Sequence, residues 1–130
     1  MNILVAYDGT KEAREAARVA AKHAKAFGGR IILAFSMVGG PEIPRQEFEH
    51  AEKELQSRAI TLREEGFECE TLLSVRGLET GEDIVKIAEE KGAEEIIIGV
   101  QRKSKVGKLL FGSTAQYIIL NAACPVVTVR

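Results

Sequence analysis

The sequence predicts an α/β protein: a single open sheet of five parallel strands, doubly wound, with helices on both faces. Two observations lead there. Short apolar runs rich in β-branched residues alternate five times with four longer segments whose apolar residues recur every three or four positions. The first strand, helix and strand together take about thirty-five residues, the size of a right-handed βαβ unit. With 130 residues and 45% hydrophobic composition, the chain can bury a core as one domain, residues 1–130, without disulfide or metal staples.

Asn2–Tyr7 is an apolar strand that stops at Asp8-Gly9-Thr10, a cluster suited to a turn and a helix cap. Ala13, Ala16, Ala17, Ala20, Ala21, Ala24 and Phe27 then step by three and four, which predicts a helix closed by Gly28-Gly29. Arg30–Ser36 is apolar without alternation, as expected of a strand covered on both faces. Met37–Pro44, with Gly39-Gly40-Pro41, predicts the least regular, mobile loop. Phe48, Ala51, Leu55, Ala59 and Leu62 mark the second helix, ended by Gly66. Phe67–Val75 follows as a strand whose partial alternation suggests an edge position.

Thr80-Gly-Glu-Asp83 resembles a capping box ahead of a third helix, with Ile84, Ile87 and Ala88 as its buried stripe and Gly92 as its end. Glu95–Gly99 is the fourth strand. Ser113-Thr-Ala-Gln116 reads as a regular capping box, and Ala115, Ile118, Ile119 and Ala122 as the apolar face of the fourth helix. Val126–Val129, after Pro125, is the last strand.

The 18 basic residues nearly cancel the 19 acidic ones, giving a net charge of −1, so no overall field favours nucleic acid or a membrane surface. Cys69 and Cys124 lack metal-ligand spacing and read as packing residues of a reduced chain. No basic leader follows Met1, and no apolar stretch approaches the roughly 18 residues of a membrane span. The expectation is a soluble, cytoplasmic protein.

In open sheets of this class, ligands sit beyond the carboxyl ends of the strands, where the strand order reverses. With the order 3-2-1-4-5, that crevice lies between strands one and four. Ala6-Tyr7-Asp8-Gly9-Thr10 falls on one side of it, and the loop from Gly99 to Gly112-Ser113-Thr114 on the other. A glycine before a helix start lets a ligand approach the backbone, and the first N–H groups of that helix attract anions. Arg102, Lys103, Lys105 and Lys108 add positive charge in between; the plainer alternative is a solvated loop and an ordinary cap.

Gly107–Gly112 has the Walker A glycine spacing, but Ser113-Thr114 stands where the lysine is required, and no GxGxxG follows strand one or four. Asp8 is open to three readings: metal ligand, ribose acceptor or turn residue. His23 and His50 have no evident carboxylate or serine partner in the sequence and read as structural. A phosphoacceptor enzyme would need acidic residues clustered after strand one and an aspartate after strand three; Asp8 stands alone and Leu72-Leu-Ser-Val75 has none.

The opening Ile3-Leu-Val-Ala-Tyr-Asp-Gly-Thr10, the order of elements, Ile96-Ile-Ile-Gly99, the spacing from Gly99 to Gly112-Ser113 and the closing Cys124-Pro-Val-Val-Thr-Val129 together resemble the universal stress protein family over essentially the whole chain. The resemblance implies a Rossmann-like fold. It also implies a stress-response regulatory role, with ATP or AMP bound, the former with Mg, and a homodimer formed through the C-terminal strand. Ala6 and Asp8 then line the nucleoside end, Ser36 lies near the base, and Gly99, Gly112, Ser113 and Thr114 face the phosphates. ATP-binding members carry glycine, two residues, glycine, nine residues, glycine and serine or threonine; here Arg102 replaces the second glycine. Arg102 either contacts phosphate through its guanidinium or closes the site. The second case leaves a nucleotide-independent homodimeric interaction protein, with a protein partner as its target. In neither case does the sequence supply a base to orient water or a Walker lysine, so no dedicated hydrolase is expected; slow ATP turnover is compatible with both readings.

Overall fold

The computed structural model describes residues 1–101 and 112–130. The elements run β1 (Asn2–Ala6), α1 (Lys11–Phe27), β2 (Arg30–Met37), α2 (Arg45–Glu64), β3 (Cys69–Val75), α3 (Thr80–Lys91), β4 (Glu95–Gly99), α4 (Ser113–Asn121) and β5 (Val126–Val129). All four strand pairings are parallel and the order is β3-β2-β1-β4-β5, as the sequence predicts.

Side chains alternate across the sheet with the two-residue period of a strand, and each face is covered. Ile3, Val5, Ile31, Leu33 and Ile97 pack against α1 and α2; Leu4, Ile32, Ala34, Ile96 and Ile98 pack against α3 and α4. Six of the seven alanines of α1 are buried; Ala26 faces out. Because a methyl group is the whole side chain, this helix lies very close to the sheet. At its first turn the approach is so tight that a Cβ on Gly99 would stand 2.4 Å from the Glu12 carbonyl carbon. Thr10 caps α1: its Oγ1 accepts from the Ala13 N–H at 3.2 Å and donates to Asp8 Oδ1 at 2.6 Å.

β3 is an edge strand, again as expected. Its exposed side is managed by charge: Arg63 donates twice to the Cys69 carbonyl, at 3.1 and 2.7 Å. Burial pushes the Cys69 thiol up to about 11, consistent with a packing role.

Four details depart from the sequence reading. Phe27 is 67% exposed rather than part of the α1 stripe, because it lies at the last turn, where it meets the His23 ring edge-on at 5.9 Å. His23 does have a carboxylate partner, Glu95 Oε1 at 2.7 Å from Nδ1, brought by β4 from 72 residues away. Neither expected capping box forms: the caps are Glu79 and Gly112, each in extended conformation, so both helices include the residue assigned as cap. Ile119 is 41% exposed, since α4 buries only Ala115 and Ile118.

Asp83, expected to serve a capping box, is fully buried and ties three elements together. Ser36 Oγ of β2 donates to its Oδ2 at 2.6 Å, and Arg76 Nε, after β3, donates to its Oδ1 at 2.6 Å. Arg76 also grips Glu90 on α3 at 3.1 and 2.8 Å. Burial alone would raise the Asp83 carboxyl; the hydrogen bonds from Ser36, Ser74 and Arg76 and the charge of Arg76 outweigh it and hold the group below its ordinary 3.8.

Two outcomes follow for stability. Gly99→Ala forces α1 off β4 and costs about 2 kcal/mol, measured by denaturant titration. Asp83→Asn costs about 2 kcal/mol at neutral pH. Because the folded pKa lies below the unfolded one, the wild-type contribution is complete above pH 3.8 and is lost as pH falls through the folded value, so the gap between wild type and variant narrows in acid.

Candidate functional site

Beyond the carboxyl ends of β1, β2 and β4 lies a cavity of about 490 Å³, within the range of small-molecule sites. Its position follows from topology. β1 runs on into a helix on one face of the sheet, and β4 leads towards a helix on the other, so the chain parts between them.

The structure brings together Ala6, Asp8, Ser36, Gly99, Gly112, Ser113 and Thr114, all of which line this cavity. Arg102, Lys103, Lys105 and Lys108, with positions 107–111 of the Walker-like run, lie outside the described residues. Asp8 acts at least as a turn residue: its Oδ1 accepts the Thr10 N–H at 3.0 Å together with the Thr10 hydroxyl. Gly99 lines the cavity, but the neighbour that excludes a larger residue is Glu12 of α1.

Among the described residues, α4 begins without a side-chain cap, and its first hydrogen bond runs from the Gln116 N–H to the Gly112 carbonyl at 3.0 Å. Its first N–H groups therefore have no intrahelical acceptor. They belong to residues that border the cavity, with the positive end of the helix dipole behind them. The opposite wall, under α3, is apolar: Ala34, Ile84 and Ile98 join Ala6, and Thr80 and Ser36 add two hydroxyls.

Sequence reasoning missed Thr80, Ile84, Glu12 and Gln101. Nothing local marks Thr80 and Ile84, because α3 reaches the cavity only through the crossover connection, and Glu12 and Gln101 gain their role by meeting each other across 89 residues. The Glu12 carboxylate is held below its usual range by a backbone hydrogen bond and by Gln101, whose Nε2 donates to Oε2 at 3.3 Å. The cavity thus combines a helix start, whose dipole favours anions, with Asp8 and Glu12 and with apolar residues and two hydroxyls under α3. Such a site suits a flat, partly apolar group that bears an anionic tail.

The profile of the universal stress protein family matches residues 1–130. A universal stress protein of Thermus aquaticus is 34% identical over 134 residues, covering 98% of this chain and 97% of its own. Among solved structures, a universal stress protein from Archaeoglobus fulgidus superposes with a TM-score of 0.91 at 37% identity, covering 100% of this chain and 98% of that one. A second structure from the same organism, a universal stress protein in complex with dAMP, gives 0.86 at 34% identity with the same coverage. Full-length agreement in both sequence and fold leaves one conclusion: the chain belongs to the universal stress protein family.

Proposed function

We propose that this protein is a stress-response regulatory module that binds an adenine nucleotide, ATP with Mg²⁺ or AMP, at the β1/β4 crevice. The observation that carries the reading is the cavity itself, with an uncapped helix start on one side and an apolar slot on the other. The dAMP complex of the Archaeoglobus protein, 34% identical, supports an adenine nucleotide as the class of ligand.

In this reading the backbone of Gly112, Ser113 and Thr114 holds the phosphates, Asp8 accepts from the ribose, and Ala6, Ala34 and Ile84 flank the base. Mg²⁺ is commonly held by one or two carboxylates together with the phosphates it accompanies, which suits Glu12 in the cavity lining. The output is a change in the dimer or in a partner surface rather than a reaction, and slow hydrolysis is compatible with it.

The dimer surface proposed is β5 with α4. The Ile96 and Val100 N–H groups donate to the carbonyls of Pro125 and Val129, so the N–H and C=O groups of Val126 and Thr128 point to the outer edge of the sheet. On α4, Ile119 and Leu120 are exposed. A second copy pairing along this edge would cover both features.

Calorimetric titration of the nucleotide-stripped protein with ATP and Mg²⁺, and with AMP, gives saturable one-to-one binding. Ser113→Asp places a carboxylate at the first turn of α4: it leaves the melting temperature unchanged or raised and weakens ATP at least about tenfold. Absence of heat at millimolar ATP, with binding gained in Arg102→Gly, identifies instead a closed site and a nucleotide-independent interaction protein. For the dimer, Leu120→Lys, at a position 72% exposed, gives the monomer mass in light scattering; an unchanged dimer moves the interface elsewhere.

A further inference from the structure

Ser36 lines the far wall of the cavity, yet its hydroxyl is already committed to Asp83. A serine hydroxyl has one proton and two lone pairs. Asp83 is paired with Arg76 and is therefore a carboxylate, which only accepts, so the proton of the 2.6 Å contact comes from Ser36. The arrangement is rigid. The Asp83 side chain is 1% exposed and is gripped on its other oxygen by Arg76, itself locked to Glu90. What Ser36 can show to the cavity is lone pairs alone.

The place of this acceptor is fixed by the strand order. The start of α4 and Gly99 of β4 line one side of the cavity and Ser36, next to last in β2, the other, with β1 between β2 and β4. Two strand spacings separate the sides by roughly 10 Å, comparable to the distance from a nucleotide's first phosphate to the outer edge of its purine. A phosphate at α4 thus brings that edge to Ser36, beside Ile84 and Ala34. Thr80, on the same wall, does not impose a choice: among the described residues its hydroxyl has no fixed partner and can turn to donate or accept.

Resting on the nucleotide reading above, we infer that Ser36 is the base-specificity residue of the site and that Asp83 is its positioning residue. Together they select a purine with an N–H donor at position 6 and reject one with a carbonyl or a bare hydrogen there. Against a 6-oxo group the lone pairs of Ser36 face another acceptor, and against an unsubstituted purine they lose a partner without gaining water.

The test is a calorimetric comparison of ATP, ITP and purine riboside triphosphate, which lacks only the amino group, on the full chain. ATP binds about tenfold more tightly than either analogue, the loss of one hydrogen bond at a partly desolvated group. In Ser36→Ala the preference for ATP over purine riboside triphosphate falls to about one, while the affinity for the latter holds or rises, since no unmet lone pair is left against it. Asp83→Asn supplies an amide that can donate to Ser36 and release its proton toward the cavity. Here ITP gains relative to ATP, and the ratio falls to one or below. Should that variant fail to melt cooperatively, Ser36→Ala decides alone. Equal binding of the three nucleotides to wild type, or a preference that survives Ser36→Ala, overturns the inference and leaves nucleotide binding standing. Binding of none overturns both.

Discussion

The close seating of α1 on β1 and β4 is the constraint on which the rest of this molecule depends. A stripe of alanines brings the helix down to methyl-group distance, and Gly99 yields its side chain so that the first turn can pass. Six alanines bury little area each, so their value lies in proximity: they let Ile3, Val5 and Ile97 be sealed without large side chains to interdigitate. That proximity also sets the rim of the crevice. Asp8 and Glu12 reach the cavity because the helix that holds one and follows the other starts hard against the end of β4.

The second organising device is polar. Asp83 is a buried carboxylate with enough donors to remain charged, and those donors come from β2, β3 and the turn after β3. Such a group adds little net stability over a well-packed apolar residue, but losing any one partner is costly, so it specifies one arrangement of α3 against the sheet. The same arrangement fixes the direction of the Ser36 proton. Structural specificity and ligand specificity then rest on one cluster, which links the packing of α3 to the chemistry of the far cavity wall.

Much of the architecture was legible because strand and helix periods differ and the punctuation is strong: Gly28, Gly66 and Gly92 all stand at left-handed turns after helices. Helix starts were less legible. Ser113 and Thr80 satisfy the spacing of a capping box, but a box requires the serine or threonine to lie outside the helix, and here Gly112 and Glu79 take that place. The β1 and α4 sides of the site could be read from local motifs. The α3 wall could not, because Thr80 and Ile84 become site residues only when the crossover folds α3 over β2 and β1.

The sequence by itself determined the alternation of elements, the doubly wound sheet, the family and the crevice residues that follow β1 and open α4, since each follows from local periodicity, turn chemistry or a run of contiguous residues. Only the tertiary structure decided which polar groups meet. His23 with Glu95, Ser36 with Asp83 and Gln101 with Glu12 are 72, 47 and 89 residues apart, and no local pattern encodes such pairs. They arise where strand order places distant segments side by side, and burial then requires every polar group so placed to find a partner.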